Sequence, residues 1–102
     1  MTLTSRAVAF VRMLAAGSFA AAEAQLTEQM RQAAPPAKLR AIWSGVESQA
    51  GAFQGTGDTR TVVEGGYTTV IVRTDFKQQA LGIALAFDSA QRIAGMHFVS
   101  PP

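Results

Sequence analysis

Apolar positions recur every three or four residues in the first half of this chain and every two in the second. Ala7, Phe10, Val11 and Leu14 share one face at helical spacing. They predict a first helix, capped by Ser5 and running to about Ala16. Gly17-Ser18 breaks it, Gly17 suiting a helix end and Ser18 a new start. A second helical stretch begins at Phe19 and runs, interrupted, to Gln32, with Thr27 placed to cap a fresh turn. Pro35-Pro36 punctuates, the second proline suiting the first turn of a helix. The helix that follows carries the clearest stripe: Leu39, Ile42, Trp43, Val46 and Ala50, with Lys38, Arg40, Ser44, Glu47 and Ser48 mostly outside it. Gly51 stops it.

After Gly51 the period changes to two. Thr59 to Glu64 reads as a strand, and Gly65-Gly66 as a two-residue hairpin turn. Strands follow at Tyr67 to Phe76, Gln79 to Phe87 and Arg92 to Val99, with turns at Lys77-Gln78 and Asp88 to Gln91. Helices first and strands afterwards make an α+β fold, N-terminal helices packed on a curved four-stranded antiparallel meander. The third strand alternates sharply. Leu81, Ile83, Leu85 and Phe87 point one way, toward the helices; Ala80, Gly82, Ala84 and Ala86 make a flat strip on the other face. Either the small residues accommodate sheet curvature, or something approaches that face closely: another sheet, a ligand or a neighbouring domain.

Composition narrows what such a domain can do. The 102 residues suit one domain, 1–102, and 48% of them are apolar against 16% charged, which argues against disorder. Thirteen of nineteen alanines lie in the first fifty residues, in keeping with a helical half. With no cysteine and one histidine, disulfide scaffolds, thiol chemistry and multi-histidine metal sites are out, and neither a metal nor a cofactor is expected. The net charge of +2 comes from scattered groups: five basic and three acidic in the first fifty residues, four of each afterwards. Nucleic-acid binding would want a clustered basic face, so it is not expected. No stretch reaches the ~20 uncharged apolar residues of a membrane span. Ala7 to Ala22 behind Arg6, ending in Ala22-Glu23-Ala24, imitates a signal peptide. Arg12 in its middle and the helical spacing favour a helix of the mature protein, and hence a cytoplasmic protein.

Several segments carry a family likeness: Leu14-x-x-Gly17-Ser18-Phe19, Leu39-x-x-Ile42-Trp43, Gly51-Ala52-Phe53, and Phe87-Asp88 with Arg92-Ile93-Ala94-Gly95-Met96-x-Phe98. Through them nearly the whole chain resembles the nuclear transport factor two-like, or cystatin-like cone, superfamily. Within it the chain is similar to a bacterial domain family of unknown function often found ahead of an α/β-hydrolase domain. These motifs are packing signatures. The resemblance implies helices against a strongly curved sheet, with a pocket or a dimer face between or behind them. The superfamily holds ketosteroid isomerases, polyketide cyclases and dehydratases, but no catalytic pattern of theirs transfers residue by residue.

The candidate chemistry is sparse. His97 shares a strand face with Gly95 and Val99, and a general base of the cone fold could sit there, helped by Asp75 or Tyr67. A surface or interface histidine is the plainer and favoured reading. Arg73 and Asp75 lie on one strand face with Tyr67, Thr69 and Ile71. Tyr67, Arg73, Asp75 and His97 together would hold a small anionic ligand, with Arg73 as donor fork; a solvated ion pair is the plainer alternative. Gly55-Thr56-Gly57-Asp58 lacks the following helix of a phosphate cradle and reads as a turn or bulge. Trp43 belongs to the core, and Glu23 and Glu28 are too poorly aligned for acid–base work. The reading favoured is a non-catalytic binding or dimerisation module, accessory to a hydrolase domain where one follows. It would form a homodimer through the sheet face or take a small apolar or anionic ligand there. The alternative is a small cofactor-free enzyme of isomerase or cyclase type, with Asp75 or His97 as base and Tyr67 as donor.

Overall fold

The computed structural model describes residues 2–102. Four helices come first: α1 (Leu3–Ala15), α2 (Phe19–Glu23), α3 (Glu28–Ala33) and α4 (Pro36–Ala50). Four strands follow: β1 (Phe53–Glu64), β2 (Tyr67–Phe76), β3 (Ala80–Phe87) and β4 (Ile93–Val99). They pair antiparallel in the order β1-β2-β3-β4, so the chain is α+β with a meander, as the change of period implies. Among the described residues, no helix is long and apolar enough to cross a membrane.

Local signals account for most helix ends. Thr2, not Ser5, caps α1: its hydroxyl accepts the Ser5 N–H at 3.0 Å, and Ser5 lies within the first turn. Both residue types cap well and they stand three apart, so the sequence pattern does not separate them. Thr27 caps α3 as expected, accepting the Met30 N–H at 3.1 Å. Pro35 stands at the cap and Pro36 at the first position of α4, where its missing N–H costs nothing.

The helices cover one face of the sheet. Ala7, Phe10, Val11 and Leu14 of α1 and Leu39 and Trp43 of α4 meet Val70, Val72 and Phe76 of β2 and Ile83, Leu85 and Phe87 of β3. One stripe of the Ala7 to Leu14 segment therefore faces the core, while Arg12 on its other side is exposed. Phe10, Leu26, Leu39, Ile83, Leu85 and Phe87 are each at most 2% exposed, so side chains fill the space between the two layers. Burial of each such group is worth roughly 1.5–3 kcal/mol.

Two strands break strict alternation. The β1–β2 register shifts between Phe53 and Gly55 and again between Thr56 and Thr59. The strand thus begins at Phe53, six residues before the period-two pattern does, with irregularities at Gln54 and at Gly57-Asp58 inside it. In β4 the register shifts beside Ala86 and Phe87, which pair with Gly95 and Ile93. The extra residue, Ala94, turns Ile93 into the core while Met96 still packs against it.

The two halves are tied together at one end of the sheet. Leu26 forms a parallel bridge with Ile93. The Thr27 N–H donates to the Ile93 carbonyl and the Ile93 N–H to the Gln25 carbonyl, both at 2.9 Å. Arg92 adds a bond to the Ala24 carbonyl at 2.9 Å.

Candidate functional site

The sheet face away from the helices is where sequence placed the candidate residues. Register decides what shares it. Tyr67, Thr69, Ile71, Arg73 and Asp75 of β2 alternate with the core-facing Val70, Val72 and Thr74. Thr69, Ile71 and Arg73 stand opposite Ala86, Ala84 and Gly82, which in turn stand opposite Gly95, His97 and Val99. On the other side, Glu64, Val62 and Arg60 pair with Tyr67, Thr69 and Ile71. The face is therefore a strip of small residues on β3, flanked by Val62 and Ile71 on one side and His97 and Val99 on the other.

A shallow open groove of about 520 Å³ runs over this strip, with Val62, Tyr67, Ile71, Ala84, Ala86 and His97 among its walls. It contains two of the four candidate residues, Tyr67 and His97. They stand in different cross-strand rows. His97 lies in the cross-strand row of Ile71 and Ala84, whereas Tyr67 starts β2 four residues earlier. Arg73 and Asp75 lie toward the far end of β2; Tyr67 and Asp75, eight residues apart, are separated by ~26 Å at ~3.3 Å per residue. Arg73 donates from Nε to the Asp75 carboxylate at 3.0 Å, and both side chains are about 40% exposed. An exposed pair of this kind is worth little to stability, and its one bond, from Nε, takes a single one of the five guanidinium donors. The glycine end of the strip is covered by the chain itself, since the Ser100 carbonyl lies 2.6 Å from where a Gly82 Cβ would stand.

Among the described residues, no group of three or more His, Cys, Asp or Glu is placed to hold a metal ion. A smaller apolar hollow of about 290 Å³ opens where the end of α4 meets the sheet, between Val46, Ala50, Leu81 and Phe98. A third, of about 390 Å³, lies at the opposite side of the helical layer and is walled by Arg6, Ala9, Met13, Gln25 and Gln91. Sequence reasoning did not find this last group. Its members are 19 and 85 residues apart along the hydrogen-bonded pairs, and no motif links them.

A family model described as protein of unknown function (DUF3887) matches residues 7–96. The chain belongs to that family. The DUF3887 match runs from the first core residue of α1 to Met96 in β4, so it takes in both layers and the small-residue strip of β3, and stops one residue before His97. It assigns no activity. The chain matches no curated protein and no solved structure.

Proposed function

We propose that this DUF3887 chain is a non-catalytic binding and dimerisation module whose outer sheet face is covered by a second copy of itself. One observation carries the reading: the middle of the face left bare by the helices is small and apolar, with Val62, Ile71, Ala84 and Ala86 side by side, while the groups that chemistry would need are spread around it. Val62 is half-buried and Val99 exposed, with Ala84 and Ala86 between flat enough for a second sheet to stack at ~10 Å. The charges on the face suit a copy of the same surface. Arg60 and Glu64 flank Val62 on β1, and both are exposed. A two-fold axis through the strip near Val62 sets Arg60 of one copy against Glu64 of the other, an isologous arrangement. Arg73 and Asp75 neutralise each other, so the rest of the face adds no net repulsion. Helices on one side of a four-stranded antiparallel sheet also support a nuclear transport factor two-like cone. In the setting that the resemblance implies, the module accompanies an α/β-hydrolase domain and leaves the chemistry to it.

The test is the mass in solution. Light scattering on the eluting protein is expected to give twice the chain mass at tens of micromolar, on the order of ordinary dimer affinities. Val62→Glu places two like charges at the two-fold axis on an edge strand, and is expected to give a monomer with an unchanged circular dichroism spectrum. A monomeric wild-type chain at that concentration overturns the proposal, as does a Val62→Glu variant that remains dimeric.

A further inference from the structure

The hollow beside Arg6 differs in kind from the sheet face. Arg6, Ala9 and Met13 follow i, i+3, i+7 spacing on one side of α1 and line it together with Gln25 and Gln91. Arg6 is half-buried. Its guanidinium donates to the Gln91 side-chain oxygen at 3.1 Å and the Gln25 side-chain oxygen at 3.3 Å. Those are neutral acceptors. Among the described residues the one ion pair joins Arg73 to Asp75, so no carboxylate lies within 4 Å of Arg6. A guanidinium has five N–H donors, and three of these remain after the two glutamines are served. The acids closest in sequence to this corner are otherwise placed: Asp88 turns Oδ1 into its own loop, accepting the Ala90 and Arg92 N–H groups at 3.0 Å, and Glu23 makes no hydrogen bond to Arg6.

The corner is also held firmly. Gln25 is fixed through its carbonyl, which accepts the Ile93 N–H, and by the neighbouring Leu26–Ile93 bridge. Gln91 sits at φ +64°, a left-handed conformation that costs a branched or long side chain of order 1 kcal/mol. Its N–H donates to the Asp88 carbonyl at 2.9 Å, which locks the turn in that conformation. The outcome is that its amide reaches Arg6 from 85 residues away. Each glutamine that accepts from Arg6 keeps its own NH₂ as a donor. The rim is thus rich in donors around one uncompensated positive charge, and the floor, Ala9 and Met13, is apolar.

We propose that this hollow binds a carboxylate carrying a short apolar tail, with the carboxylate on Arg6 and the glutamine NH₂ groups and the tail on Ala9 and Met13. Guanidinium and carboxylate match as a bidentate pair, which a half-buried Arg6 without an acidic partner leaves open. At about 390 Å³ the hollow lies at the low end of ligand-sized pockets and suits a small acid. The same chemistry is offered by a free organic acid and by the C-terminal carboxylate of an apolar peptide.

The test is a titration followed by amide NMR, with the Gln25 and Gln91 side-chain NH₂ signals as reporters. Hexanoate is expected to shift both, saturating near or below about 1 mM. Hexanol, which lacks the charge, and acetate, which lacks the tail, are expected to bind at least about tenfold more weakly, as is inorganic phosphate. A short peptide ending in a free Leu carboxylate is compared with its C-terminal amide. Binding of the peptide acid more tightly than hexanoate assigns the site to chain ends; the reverse order assigns it to free acids. Arg6→Gln is expected to abolish saturation. Gln91→Gly, which suits the left-handed turn and so keeps the fold, is expected to weaken binding. Val62→Glu, on the other side of the molecule, leaves it unchanged, which separates this site from the dimer. No shift of the two NH₂ signals at about 10 mM hexanoate overturns the proposal, and so does unchanged affinity in Arg6→Gln or equal affinity for phosphate.

Discussion

Trp43→Ala is expected to destabilise the chain by about 3–5 kcal/mol in chemical denaturation. Trp43 is 4% exposed on the inner face of α4. Its ring stands 5.5 Å from that of Phe76 and 5.9 Å from that of Phe53, at tilts of 49° and 56°. Phe53 and Phe76 meet edge-on at 6.2 Å, closing a triangle of three aromatic rings. Removing the indole leaves a cavity between the last helix and the first two strands, and also forfeits two aromatic contacts of ~0.5–1.5 kcal/mol each beyond their burial. The Nε1 atom is buried without a protein hydrogen-bond partner. A buried donor of this kind is itself a cost. Trp43→Phe, which removes it and keeps most of the ring, is therefore expected to cost under about 1.5 kcal/mol. A loss below about 1 kcal/mol for Trp43→Ala would be the behaviour of a surface residue, and would contradict the packing described.

Gly51→Ala is the second large effect, and its origin is backbone geometry. Gly51 ends α4 at φ 94° and ψ 178°, a region closed in practice to residues with a Cβ. That conformation costs a side chain of order 1–3 kcal/mol. Space adds to the penalty, because a Cβ there would stand 2.9 Å from Lys77 Cβ and 3.2 Å from the Gln78 nitrogen. The neighbours have little room to move. Lys77 N–H donates to the Ala52 carbonyl and Gln78 N–H to the Ala50 carbonyl, both at 2.9 Å, so the β2–β3 turn is bonded to the chain on either side of Gly51. The Glu47 carboxylate accepts the Phe53 N–H at 3.0 Å and holds the entry to β1. The expected loss is about 3 kcal/mol or more by urea unfolding, combining strain and overpacking. A change of less than about 1 kcal/mol would mean that the junction relaxes freely, against the bonding seen there.

Sequence patterns were informative wherever one rule acted alone. The stripe from Leu39 to Ala50 placed α4, Pro35-Pro36 its start and Gly65-Gly66 the first hairpin; those glycines sit at φ 59° and 82°, as the two-residue turn wants. Alternation in β3 separated the core set from the small set correctly, because no bulge interrupts the strand opposite β2. Legibility failed where two rules competed. Bulges near Gly55 and Thr56 hid the first six residues of β1, and the extra Ala94 reversed the parity of Ile93 relative to Met96. In the candidate site, the Arg73–Asp75 pairing was readable because i, i+2 neighbours share a strand face. The distance between Tyr67 and Asp75 was hidden in plain view, since residues on one face of one strand are not thereby close. The Arg6, Gln25 and Gln91 cluster was not readable at all, because tertiary docking of a helix, a turn and a distant loop creates it.

The bridge from Leu26 to Ile93 has a bearing on how the molecule unfolds. A helical half followed by a sheet half suggests two modules in series. Yet the Thr27 and Ile93 amides find their partners in opposite halves of the chain, and Arg92 reaches back 68 residues to the Ala24 carbonyl. Neither half satisfies its own backbone at that corner. Loss of the last strand leaves the Thr27 N–H without its acceptor, and loss of the α2–α3 segment leaves the Ile93 N–H and the Arg92 guanidinium without theirs. The chain is thus expected to unfold as a single cooperative unit, with helix content and tryptophan fluorescence lost at one and the same denaturant concentration.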